Sequence, residues 1–289
     1  MLHTIENKYL RVTASEQGAE LQSILGCDAT EYLWQGDPTY WGDRAINIFP
    51  YVARLTEGRY FLDGKCYEMK IHGFAHHFRF SLAERSDRHM VLELAANPDT
   101  LAQYPRQFVF RVIYALHEDT LEITYEVENQ DEKTMYFSMG GHPGFNVPYG
   151  GGSFEDYRLR FGEACTPQRV VFSDSTLVQG FKDYPLEEET LLPLRHTLFD
   201  QGAIVLKGMS RQVTLEAPNA SRSITVSYPD MPYLGLWHAV KTDAPYVCIE
   251  PWSSLPSSEG KITVFEEKED LIRLEPEMTY RNKWTITIR

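Results

Sequence analysis

The chain has 289 residues, 43% of them hydrophobic and 24% charged, so it holds enough apolar material for a sizeable core and no segment that is compositionally disordered. A formal net charge of −13 makes the average surface repel phosphate backbones and anionic headgroups, which excludes nucleic acid and membranes as expected partners and favours a neutral small molecule. The four cysteines, Cys27, Cys66, Cys165 and Cys248, form no CxxC pair and are too few to staple a chain of this size, so free thiols in a reducing, cytoplasmic setting are expected.

The first residues, MLHTIENKYL, lack a basic stretch followed by an apolar run, and no uncharged apolar segment approaches the ~18 residues a membrane span needs. Residues 9–14 and 19–25 read as strands, and Leu62-Asp63-Gly64-Lys65 offers an Asp-Gly hairpin turn. Strands follow at 78–83 and 90–95, then one short helical turn over 99–104 with Asp99 as its cap. Period-two alternation is clearest next: Phe108, Phe110, Val112, Tyr114 and Leu116, then Leu121, Ile123, Tyr125 and Val127, joined by a short polar connection that predicts an antiparallel hairpin. Further strands are expected at 135–139, 203–206, 212–216, 223–227, 246–250 and 284–288, with a helical turn over 264–271. The stretch 174–194 is a polar, proline-punctuated excursion that covers one face. Helical signals are too sparse for βαβ crossovers and no linker divides the chain. The expectation is one all-β domain over 1–289, two large antiparallel sheets stacked as a sandwich with few short helices.

Chemistry concentrates at a few points. In GGHPGFN, His142 stands between Gly141 and Pro143, where small neighbours let a ligand approach, and imidazole exchanges protons near neutral pH. The residues alone leave two readings open there, a functional group or a turn-capping histidine. In CIEPW, Glu250 ends an apolar strand beside Trp252, a setting that raises a carboxyl pKa if the group is buried; an exposed strand-end glutamate is the alternative. IHGFAHHFRF holds His72 and His76 at the i, i+4 spacing of a helical metal site, but Gly73 and the following alternation indicate loop into strand, so no metal is expected. His72 is the better candidate for a hydrogen bond to a ligand hydroxyl, with His76 and His77 as ordinary loop residues. Arg54, in FPYVARL, is expected to pair with a carboxylate or to reach into a cleft. Trp34, Trp41, Trp237 and Trp252, with Phe145 and Tyr149, offer flat faces suited to a sugar ring or to the core. There is no phosphate-cradling glycine loop, no GxSxG, no HExxH, and only one nominated carboxylate where a glycoside hydrolase needs two.

FPYVARL, IHGF, GGHPGFN, YLGLW and CIEPW, in that order through nearly the whole chain, resemble the aldose 1-epimerase (galactose mutarotase-like) family, most closely its LacX-like branch. The resemblance implies a large antiparallel sandwich with an open cleft, and mutarotation of a free hexose without cofactor or metal, by a monomer or homodimer. By residue it implies His142 as general acid, Glu250 as general base, and Arg54 and His72 as contacts to sugar hydroxyls, with Trp237 and Asn146 as further sugar-binding candidates. The chain departs from the family at Gly202, where an aspartate is expected; Asp200 substitutes only if the loop shifts, and the missing contact bears on which epimer is preferred. Two rival readings are a hexose-6-phosphate mutarotase, if Arg44, Arg54, Arg79 and Arg106 converge, and a non-catalytic carbohydrate-binding or sensing protein.

Overall fold

The alternating segments pair as their pattern requires. In the computed structural model, which describes residues 1–218 and 220–289, Phe108–His117 and Thr120–Asn129 form an antiparallel hairpin that puts Phe110 opposite Val127 and Tyr114 opposite Ile123. The hairpin lies within a nine-stranded antiparallel sheet whose order is Leu191–Pro193, Arg158–Phe161, Gln212–Glu216, Ile224–Ser227, Thr279–Ile288, Thr120–Asn129, Phe108–His117, His89–Ala95, Ser81–Arg85. A seven-stranded antiparallel sheet faces it, ordered Val178–Asp183, Gln168–Phe172, Ile204–Lys207, Tyr233–Trp237, Tyr246–Trp252, Gly140–Asn146, Ala45–Ile48. Leu121, Ile123, Tyr125 and Val127 from the first sheet and Val247, Ile249, Leu234 and Leu236 from the second are buried in one shared core. Removing that apolar surface from water is the dominant force holding the sandwich closed.

Asn47 is buried between the layers and is fully engaged. The Tyr125 hydroxyl donates to Asn47 Oδ1 at 2.8 Å, while Asn47 Nδ2 donates to the carbonyls of Gly18 and Ala19 at 3.1 and 3.0 Å. This network ties one strand of each sheet to the other, and a fully satisfied buried network costs little while fixing register.

Several expectations need correction. GGHPGFN is itself a strand, Gly140–Asn146, because pairing on both sides with Tyr246–Trp252 and Ala45–Ile48 overrides the poor strand propensity of glycine and proline. The short helix is Pro98–Gln103 and its cap is Asn97, whose side chain accepts from the amides of Asp99 and Thr100. Residues 264–271 hold only one 3₁₀ turn, Phe265–Glu267, where Phe265 is buried and stacks on Tyr60 with ring centroids 3.8 Å apart. The excursion 174–194 contributes edge strands to both sheets, Val178–Asp183 to the smaller and Leu191–Pro193 to the larger. No helix among the described residues is long and apolar enough to cross a membrane.

Candidate active site

Strand Tyr246–Trp252 points Val247 and Ile249 into the core, so Cys248, Glu250 and Trp252 project from the opposite face of the seven-stranded sheet. The neighbouring strand runs antiparallel with Gly140 opposite Trp252 and Gly144 opposite Cys248, a register that sets His142 across from Glu250. His142 Nε2 lies 3.2 Å from Glu250 Oε2. On its other side Glu250 faces Gly235, where a Cβ would come within 3.2 Å of Glu250 Cβ and of the Trp252 ring, so only glycine leaves the carboxylate its room.

The pair is buried and under-bonded. His142 is 8% exposed and Glu250 1%, and Glu250 Oε2 and His142 Nδ1 have no hydrogen-bond partner among the described residues. The 3.2 Å approach is therefore close without hydrogen-bond alignment. Burial drives both groups towards their neutral forms: it pushes the Glu250 carboxyl well above 4.5, and it pulls His142 down to about 3. One proton shared by the two sites satisfies both tendencies.

Around the pair lies a cavity of about 490 Å³, lined among others by Trp41, Arg54, His72, His142, Trp237, Glu250 and Trp252. Its size, its apolar walls with three tryptophans and its few polar groups suit a small molecule. The Trp41 ring packs on His142 with centroids 4.8 Å apart, and Trp237 stands perpendicular to Trp41 at 5.7 Å. His72 sits in the left-handed region at φ 63, its own amide donating to the Ala53 carbonyl while Nδ1 accepts from the Ala53 amide at 3.3 Å. An accepting Nδ1 leaves the ring proton on Nε2, free to donate to a ligand. Burial first, and then the neighbouring His142, hold His72 well below 6.5 and hence neutral. Arg54 is solvent-exposed at the rim and makes no salt bridge among the described residues, so of the two expectations for it the cleft is the one observed.

Asn146 is not brought into the cavity. It shares a strand with His142, but the segment Glu31–Leu33 covers it, and its side-chain amide donates to the carbonyls of Glu31 and Leu33 at 2.9 and 3.0 Å; it anchors a loop. The other three arginines are also engaged elsewhere. Arg106 is buried against Asp63, Arg79 pairs with Glu16, and Arg44 donates to Gln22. Only Arg54 of the four lines the cavity.

Two ionisable lining residues were not expected from the sequence. His76, expected to be an ordinary loop residue, lines the cavity with Nδ1 buried and unpartnered, and burial, with a smaller contribution from His77, pulls it down to about 4. Asp43 also lines it, from an exposed position just before Ala45–Ile48, and no motif marked it in the sequence. Gly202 lies in the lining at φ 90 with no atom within 4 Å of where a Cβ would stand, whereas Asp200 is exposed and outside it. A larger hollow of about 630 Å³ lies beyond Arg54, but its Glu57, Glu68 and Lys70 are all solvent-exposed. The orphaned, desolvated groups belong to the smaller cavity.

Known proteins resemble the chain over its whole length. The sequence profile describing aldose 1-epimerases matches residues 1–286. The chromosomal protein LacX of Lactococcus lactis subsp. lactis is 33% identical over 298 residues, covering 98% of each chain. The solved structure of a galactose mutarotase related enzyme from Lactobacillus acidophilus superposes with a TM-score of 0.95 at 30% identity, over 100% of this chain and 97% of the other. A galactose mutarotase-like protein from Lactobacillus casei gives a TM-score of 0.93 at 32% identity, with 100% of both chains covered. With a match that spans the molecule in both sequence and fold, the chain belongs to the aldose 1-epimerase family.

Proposed function

We propose that the protein interconverts the α and β anomers of a free hexose by acid and base ring opening, with Glu250 and His142 as the proton-transfer pair. The observation that carries this reading is the 3.2 Å approach of His142 Nε2 to Glu250 Oε2 at the wall of a sugar-sized cavity. Glu250 takes the proton from the C1 hydroxyl as His142 delivers one to the ring oxygen. The C1–O5 bond breaks, C1 becomes an aldehyde carbon, and rotation about C1–C2 followed by reclosure returns both protons on the other face.

Proton bookkeeping fits the burial. The reactive arrangement, carboxylate beside imidazolium, and the arrangement after ring opening, carboxylic acid beside imidazole, hold the same number of protons. A dry site disfavours the charge-separated form, so ring opening carries the pair towards the arrangement its surroundings prefer. His72 Nε2–H and Arg54 supply donors for hydroxyls, and Trp41 and Trp237 supply faces for the ring's C–H surface. A phosphorylated sugar gains only one guanidinium, Arg54, opposed by the Asp43 carboxylate, so the lining favours an uncharged sugar.

Polarimetry on freshly dissolved α-D-glucose and α-D-galactose tests the proposal. The wild type should accelerate the approach to equilibrium, and His142→Ala and Glu250→Ala should each remove the acceleration with the fold intact. Wild-type rates in either variant would remove the assignment. Sugar binding in the wild type, measured by calorimetry, without any acceleration would instead identify a sensing protein.

A further inference from the structure

Cys248 has no part in the proposed reaction, yet its thiol lies with the catalytic pair. It precedes Glu250 by two positions on the same face of the strand, and it is wholly buried under Trp34 and Tyr246, with Trp41 and Trp237 packed against them. One ligand atom each from His142, Cys248 and Glu250 fall within 4.8 Å of one another. A tetrahedral zinc ion bound at ~2.0–2.1 Å to a nitrogen and an oxygen holds those two atoms about 3.3 Å apart. The imidazole and carboxylate are already at 3.2 Å, and Glu250 Oε2 is buried without a hydrogen-bond partner.

We propose that His142, Cys248 and Glu250 form an inhibitory site for a thiophilic divalent cation of the zinc type, which occupies the position where the sugar's anomeric centre reacts. One thiolate, one imidazole and one carboxylate are a ligand set suited to zinc and unsuited to magnesium or calcium. A divalent ion with a thiolate, a carboxylate and a neutral imidazole sums to zero charge, which a desolvated site accepts more readily than any free ion. Two ligands face the cavity, so the fourth coordination position opens towards it and a water completes the tetrahedron. The thiol and the Glu250 carboxyl each give up a proton to solvent on binding, so affinity rises with pH. Bound metal withdraws the lone pair of His142 and the carboxylate of Glu250 from proton transfer and competes with the sugar.

The test is cobalt(II) titration of the metal-free full chain, read by the near-ultraviolet thiolate-to-cobalt charge-transfer band, with zinc displacement and with polarimetry at each zinc concentration. The expected result is one equivalent of cobalt with that band, its displacement by zinc or by excess hexose, and loss of mutarotation that a chelator reverses. Cys248→Ala should abolish the band and weaken zinc at least ~10-fold, since even loss of a group behind a metal ligand costs 10–100-fold. The same variant should keep metal-free mutarotation. Cys248→Ser, nearly isosteric, replaces it if the alanine variant folds poorly. A wild type without the band, a band that survives in both variants and so belongs to another thiol, or full mutarotation at saturating zinc would each overturn the proposal. The spectroscopic arm needs no turnover, so a failure of the proposed reaction and a failure of this site are read separately.

Discussion

Each large sheet carries ionisable side chains on the face turned away from the shared core, and the two faces treat them in opposite ways. On the nine-stranded sheet, Glu93, Arg111, Glu126 and Arg281 stand in register on four adjacent strands and alternate in sign. Arg111 donates to Glu93 and Glu126 at 2.7 Å each, and Arg281 donates to the other Glu126 oxygen at 2.6 Å. Burial works against the Glu126 charge, but Arg281 and Arg111 outweigh it and hold that carboxyl below its ordinary value. On the seven-stranded sheet, Glu250 has His142 as its neighbour in place of an arginine, and its carboxyl is pushed up by desolvation. The ladder spends its charges on cross-strand pairing; the cavity keeps a carboxyl and an imidazole unsatisfied, at a cost of about 1–3 kcal/mol for each orphaned group. Folding alone gives no reason to retain such a pair.

The sharpest way to break that contrast is Glu250→Gln, which keeps the shape and removes the exchangeable proton. Mutarotation should fall by about 10²–10⁴-fold in polarimetry, while the melting temperature holds or rises, because a neutral amide suits a dry site. Gly235→Ala comes next: its methyl would press on the Glu250 side chain, and a displacement near 1 Å is expected to cost up to about 10²-fold in rate with sugar affinity less affected. Arg54→Ala should raise KM about tenfold and spare kcat, since an unpaired rim guanidinium holds a hydroxyl and moves no proton. At the small end, Arg111→Ala should leave the rate unchanged and lower stability by about 1 kcal/mol in urea unfolding.

The pH dependence of stability separates the faces as well. From its ordinary 6.5 down to about 3, His142 binds a proton in the unfolded chain that it refuses in the folded one, so its contribution is lost as pH falls through that window. Glu250 has the opposite sign: the folded carboxyl keeps a proton that the unfolded chain releases above 4.5, and its contribution is lost as pH rises. His142→Ala should therefore reduce the acid-side decline that begins near pH 6.5, measured by urea midpoints, while Arg111→Ala should act only lower, as pH falls through 4.5 and Glu126 and Glu128 take up protons.

The alternating runs around Phe110 and Ile123, the hairpin at Asp63-Gly64 and the stacked sheets were legible because period-two burial is written residue by residue. His142 and Glu250 were legible as candidates because glycine, proline and tryptophan flank them. Their meeting was legible only through the family resemblance, since it depends on the register between strands separated by most of a hundred residues of intervening chain. GGHPGFN was not among the expected strands because glycine and proline are poor strand formers, and only its two partner strands make it extended. Asn146 looked like part of the motif for an equally local reason, while the loop that covers it, Glu31–Leu33, lies far away in sequence. Asp43 and His76 reach the cavity through chain folding that leaves no local pattern.

On this reading burial holds His142 and Glu250 as a neutral pair sharing one proton, poised for transfer. Nitrogen-15 NMR of labelled imidazoles, assigned with His142→Ala, measures this directly in the sugar-free protein. His142 is expected to remain a neutral imidazole at pH 7 and well below 6.5, taking up a proton only towards about 3. An imidazolium at residue 142 that titrates near 6.5, as an exposed histidine does, would contradict it.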